Sequence, residues 1–120
     1  MKKIICIFPI LLIISCGTSN KKEASKSADF TQTKEYQEGL ALVAKNKCLT
    51  CHAINETITG PPYSEIAKKY ASYSDTIVTH LAKKVITGGN GVWGEIFMTP
   101  HPNVSQEDAE KMVKYVLLLK

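Results

Sequence analysis

Apolar side chains recur at helical spacing in four stretches of this chain, and no stretch alternates in the manner of a half-buried strand. Tyr36, Leu40, Val43 and Ala44 stand at i, i+4, i+7 and i+8 on one face of a first helix. Gly39 inside that helix costs stability relative to alanine, so it predicts the close approach of another backbone. Tyr63, Ile66, Ala67 and Tyr70 mark a second, short helix after Gly60-Pro61-Pro62. Ser74-Asp75 reads as the cap of a third, with Val78, Leu81, Ala82 and Val85 on its inner face and Gly88-Gly89 ending it. Residues 105–108, Ser-Gln-Glu-Asp, resemble a capping box ahead of Ala109, Met112, Val113, Val116 and Leu117, the buried stripe of a last helix. The pattern predicts an all-α domain over residues 35–120, without internal repeats.

The chain before it has a different character. Residues 4–14 form an apolar run broken only by Cys6 and Pro9, too short to span a bilayer as a mature helix, and Met1-Lys2-Lys3 supplies a basic start. The run ends at Ile13-Ile14-Ser15-Cys16, which resembles the lipobox of bacterial lipoproteins, with isoleucine where leucine is usual at position 13. Residues 1–15 are therefore expected to be a lipoprotein signal peptide and Cys16 the lipidated residue. Two acyl chains would anchor the protein stably, where one would do so only marginally. Residues 16–34 are polar, with Phe30 as the lone aromatic, and are expected to be a flexible tether.

Charge narrows the class of partner. The net charge of +4 comes from the leader and tether, since residues 35–120 hold nine lysines against nine acidic residues. Nucleic-acid binding is not supported by that balance. Lys45, Lys47, Lys68, Lys69, Lys83 and Lys84 cluster in the middle of the domain and fit solvated helix faces as well as a docking surface for an acidic partner.

The chemistry is concentrated at residues 48–52, Cys-Leu-Thr-Cys-His. Two thiols three positions apart followed at once by an imidazole form the attachment signature of a c-type haem. Each cysteine adds across one vinyl group, and the turn between them brings His52 under the ring to ligate iron. A zinc site would need a second pair of ligands, and the other cysteines, Cys6 and Cys16, lie in the leader and at its end. A dithiol redox motif would want a preceding strand, whereas the flanks here read as helix. With no spare cysteines for disulfides, a domain this small gains from a large apolar cofactor bonded into its core.

A second axial ligand is expected from the loop between the third and last helices. Met98 follows His52 by 46 residues, far enough for the chain to pass round a porphyrin and present sulfur to its other face. Paired with histidine, a thioether favours reduced iron and raises the potential. Met112 reads as core, His80 as exposed, and His101, three residues beyond Met98, is the rival ligand.

Together, the CLTCH motif, TGPPYSEIAKKY at 59–70, GGNGVWGEIFMTP at 88–100 and the capped C-terminal helix resemble a class I c-type cytochrome, the small bacterial monohaem type. The resemblance spans residues 35–120. It departs at Val43, where an aromatic is more usual, and at Thr99-Pro100-His101, where Pro-Pro-Asn is common. It implies the cytochrome c fold, one haem c bound through Cys48 and Cys51, and His52 and Met98 as iron ligands. It also implies that the Pro61 carbonyl accepts the other ring N–H of His52, that Trp93 donates its indole N–H to a propionate, and that Gly39, Val43 and Tyr115 lie where the first and last helices cross. The function it implies is a monomeric, membrane-anchored one-electron carrier on the periplasmic side of a bacterial membrane, exchanging electrons with a donor and an acceptor of a respiratory chain and having no catalytic residues. A haem sensor or enzyme with a labile distal ligand, and a fixed subunit of an oxidase, are the competing expectations.

Overall fold

The structure is a computed structural model and describes residues 30–120. The expected signal peptide, Cys16 and most of the tether lie outside the described residues. Among them run four α-helices, α1 (Lys34–Lys45), α2 (Tyr63–Tyr70), α3 (Thr76–Thr87) and α4 (Gln106–Leu118), with a tight 3-10 turn at Cys48–Thr50. No helix of the described residues is long and apolar enough to cross a membrane.

Helices α1 and α4 cross at Gly39. A Cβ there would overlap that of Tyr115 and lie 2.6 Å from the Lys111 carbonyl oxygen, so only glycine lets the backbones meet. Val43 and Tyr115 fill the crossing at 1% exposure each. Ala44, expected on the same face, is exposed. At ~100° per residue it lies about 90° from the centre of the face formed by Tyr36, Gly39, Leu40 and Val43. Glu38 and Glu35 reach Lys111 and Lys114 across the helices at 3.9 and 3.8 Å. These side chains are 36–50% exposed, so the pairs contribute little next to the buried crossing.

Rings carry the packing from that crossing toward the motif of residues 48–52. Tyr115 stands edge-on to Tyr36 at 5.0 Å and to Tyr63 at 6.4 Å. Tyr63 in turn stacks on His52 at 5.2 Å between centroids, 20° from parallel. Folded contacts already begin at Phe30, ahead of residue 35, because its ring packs edge-on against Tyr36 at 5.6 Å.

The caps differ in kind. Thr33 and Ser105 accept the backbone N–H groups of Tyr36 and Asp108 through their hydroxyls, at 3.2 and 3.1 Å. Asp75 occupies the capping position of α3 but makes no side-chain cap bond, while the Ser74 hydroxyl turns to that of Thr76 at 2.7 Å.

One element departs from the all-helical expectation. Antiparallel strands β1 (Gly89–Gly91) and β2 (Gly94–Met98) pair Gly89 with Met98 and Gly91 with Gly94, with an irregular register between. The hairpin depends on backbone freedom, with φ of 111° at Gly89, 118° at Gly91 and 99° at Gly94. Gly-Asn-Gly offers no alternating apolar pattern, which is why the strand has no signature in the sequence. It joins α3 at Gly88, φ 66°, where a Cβ would run into the Met98 carbonyl. The hairpin is small, and the architecture remains a helical one.

Candidate functional site

The site begins where α1 stops. Asn46 closes the helix with its backbone N–H and its side-chain amide, both donating to the Leu42 carbonyl at 3.0 and 2.8 Å. Lys47 then takes a left-handed conformation, φ 56°, and turns the chain sharply into Cys48. The N–H groups of Cys51 and His52 both return to the Cys48 carbonyl, at 3.2 and 3.0 Å. This turn brings both cysteines and His52 to one wall.

The following loop folds back onto the turn. Thr59 and Gly60 donate to the Cys51 carbonyl at 3.2 and 2.8 Å, and Tyr63 and Ser64 donate to Ala53 and Ile54, each at 2.9 Å. His52 Nδ1 lies 2.8 Å from the Pro61 carbonyl oxygen. A carbonyl only accepts, so Nδ1 carries the proton, and Nε2 is left with a lone pair for a metal. Gly60 packs under the ring so closely that a Cβ would sit 2.5 Å from His52 Cε1.

Cys48, Cys51, His52, Pro61, Trp93 and Met98 all line a single cavity of about 710 Å³. All six positions singled out from the sequence for haem and iron are thus on one wall system. Val43, Leu81, Val85 and Val116 add apolar surface from three helices. Size and character fit a large, flat, apolar cofactor, and the donor set of two thiols, an oriented imidazole and a thioether fits haem c.

Burial pushes the Cys48 thiol up from its ordinary range, with a neighbouring hydrogen bond to Tyr63 opposing only part of the effect. A reactive dithiol needs the opposite shift. Among the described residues no group of three or more His, Cys, Asp or Glu side chains converges as a metal cluster. Neither the dithiol nor the zinc alternative gains support from this geometry.

The rival ligands occupy different environments. His80 is exposed, and Met112 belongs to the buried core although it reaches the cavity wall. His101 is half-buried and also lines the cavity. Trp93 occupies the hairpin turn, with Lys69 Nζ 5.2 Å over its ring. Two contributors escaped the sequence reading. In the sequence Tyr63 reads only as part of a helix face and Gly60 only as preceding that helix, since stacking on His52 and room for its ring arise from tertiary contact.

Comparison with known proteins places these observations in context. The family model described as Cytochrome c matches residues 36–120. Cytochrome c-552 of Nitrosomonas europaea is 43% identical over 79 residues, covering 66% of this chain and 76% of that protein. Cytochrome c-552 of Hydrogenobacter thermophilus is 40% identical over 79 residues, covering 65% and 79%. The crystal structure of wild-type Nitrosomonas europaea cytochrome c552 matches at a TM-score of 0.63 and 42% identity, covering 68% of this chain and 99% of that one.

Proposed function

This chain belongs to the cytochrome c family, as an electron carrier rather than an enzyme, with one haem c bound through Cys48 and Cys51, and from that premise we propose that it works as a membrane-anchored one-electron shuttle of a bacterial respiratory chain. When bound, the haem supplies an iron that alternates between the ferric and ferrous states. The chain's own residues determine what that iron meets.

His52 and Met98 would hold the iron in this reading. The observation that carries it is the single cavity lined by both, with His52 Nδ1 held to the Pro61 carbonyl at 2.8 Å. That bond fixes the tautomer and ring orientation and raises the basicity of the ligating nitrogen. Apolar side chains from α1, α3 and α4 keep water from the buried side. With His52 and Met98 both on the iron no substrate would reach it, and small, weak encounters with a donor and an acceptor suit a carrier that must also leave.

The leader and Cys16 support attachment to the periplasmic side of a membrane, with the polar residues after Cys16 joining the anchor to the domain. The protein acts as a monomer.

The test uses the full-length protein purified from membranes. A pyridine haemochrome spectrum with intact mass should report one doubly attached haem and a lipid that disappears in Cys16→Ala. The oxidised protein should show the weak red-end absorption of iron–sulfur ligation, and carbon monoxide should leave the reduced spectrum unchanged. Rapid carbon monoxide binding would support a sensor or enzyme instead, and constant co-elution with an oxidase would support a fixed subunit.

A further inference from the structure

Two side chains that can bind iron are mounted on the same support. Met98 ends β2, paired with Gly89, and its carbonyl packs against Gly88 at the end of α3. His101 follows three residues later, and its backbone N–H is shared by the Val85 and Ile86 carbonyls of α3, at 3.2 and 3.1 Å. Both residues line the cavity. His101 is half-buried, and among the described residues no protein group hydrogen-bonds its ring, in contrast to the His52 ring held by Pro61. Its imidazole is therefore not committed to another partner.

The geometry points to His101 as a reserve ligand, which takes the sixth position on iron when the Met98 sulfur is withdrawn. This rests on the His52 and Met98 ligand reading above. Three residues of chain reach roughly 10 Å when extended, so residues 99–101 could exchange one donor for the other while α3 and His52 stay in place. The exchange forms an iron–nitrogen bond where an iron–sulfur bond is broken, with no change in oxidation state. A second imidazole lacks the preference of a thioether for reduced iron, so the potential falls. Loss of the sulfur would thus turn the carrier off without opening its metal to small molecules.

The experiment compares the holoproteins of wild type, Met98→Ala and Met98→Ala/His101→Ala, with Met98→Leu in place of alanine if the smaller residue prevents accumulation. Haem attachment and the wild-type iron–sulfur absorption are recorded first; if either is missing, the ligand reading fails and this inference falls with it. With both present, the single variant should be low-spin by electron paramagnetic resonance, with a potential below that of wild type. The double variant should be high-spin and bind carbon monoxide at least about tenfold more tightly than the single variant, the factor expected if a closed form outweighs the open one by ten to one. A single variant that is itself high-spin and binds carbon monoxide as tightly as the double variant overturns the proposal. So does a double variant that stays low-spin, since Lys84 or Met112 from the same wall would then be the replacement.

Discussion

Gly60 and His52 are in such close contact that a Cβ on the glycine would lie 2.5 Å from the ring carbon Cε1 and 2.9 Å from Nδ1. The glycine leaves room for the imidazole to meet the Pro61 carbonyl. Gly60→Ala should push the ring away and weaken the Nδ1–H bond. A less basic nitrogen stabilises ferric iron less, so the midpoint potential should rise. Loss of about 0.5–1.5 kcal/mol corresponds to roughly 20–60 mV for one electron, readable by spectroelectrochemistry. An unchanged potential would mean that this contact does not orient the ligand.

Gly39→Ala tests the helix crossing. Alanine improves intrinsic helix stability by about 1 kcal/mol, whereas overpacking costs about 1–3 kcal/mol. The added carbon meets the Tyr115 Cβ and the Lys111 backbone, neither of which is the free end of a flexible side chain. Overpacking should win, and guanidinium unfolding should show a net loss of up to about 2 kcal/mol. A gain in stability would show that α1 and α4 can separate at little cost.

The caps make a paired comparison. Ser105→Ala removes the hydroxyl that accepts the Asp108 N–H and should cost about 1 kcal/mol. Asp75→Ala removes a side chain that makes no cap bond and should change stability by less than about 0.5 kcal/mol. Equal losses in chemical denaturation would contradict the difference between the two helix starts.

Tyr63 predicts an alkaline limit. Burial, and secondarily the neighbouring Cys48, raise its phenol well above the ordinary 10.0. Above pH 10 the unfolded chain releases this proton while the folded one retains it, so the folded state binds more protons and loses stability as pH rises. Below that point the contribution is constant. Tyr70 and Tyr115 are raised too and add to the fall. Tyr63→Phe should make the decline above pH 10 shallower by up to about 1.4 kcal/mol per pH unit, measured as unfolding free energy against pH. Parallel wild-type and variant curves would exclude Tyr63 as a source.

These residues also show where sequence pattern suffices. The stripe Ala109, Met112, Val113, Val116 and Leu117 is legible because a helix repeats every 3.6 residues, and the first four are buried while Leu117 is half-buried. Residues 48–52 are legible because attachment chemistry demands that spacing. The hairpin at 89–98 is not, because glycines with positive φ build it and no side-chain alternation announces it. Asp75 looks like a cap by type, yet its backbone is already helical, φ −56° and ψ −21°, where a capping residue is extended, and its side chain makes no cap bond. The stack of Tyr63 on His52 and the meeting of Trp93 with Lys69 depend on where separate elements come together, which residue spacing does not encode.

The Cys51 carbonyl, accepting N–H groups from both Thr59 and Gly60, knots residues 48–63 into a unit whose bonds are all short in sequence. Short loops close at small entropic cost, so this unit can assemble early, before the terminal helices have met. Met98 arrives from 46 residues downstream of His52 and needs α3 in place behind it. The domain thus has an early half, holding cysteines and imidazole, and a late half bringing sulfur, and the slowest folding phase should coincide with iron–sulfur absorption rather than with helix formation.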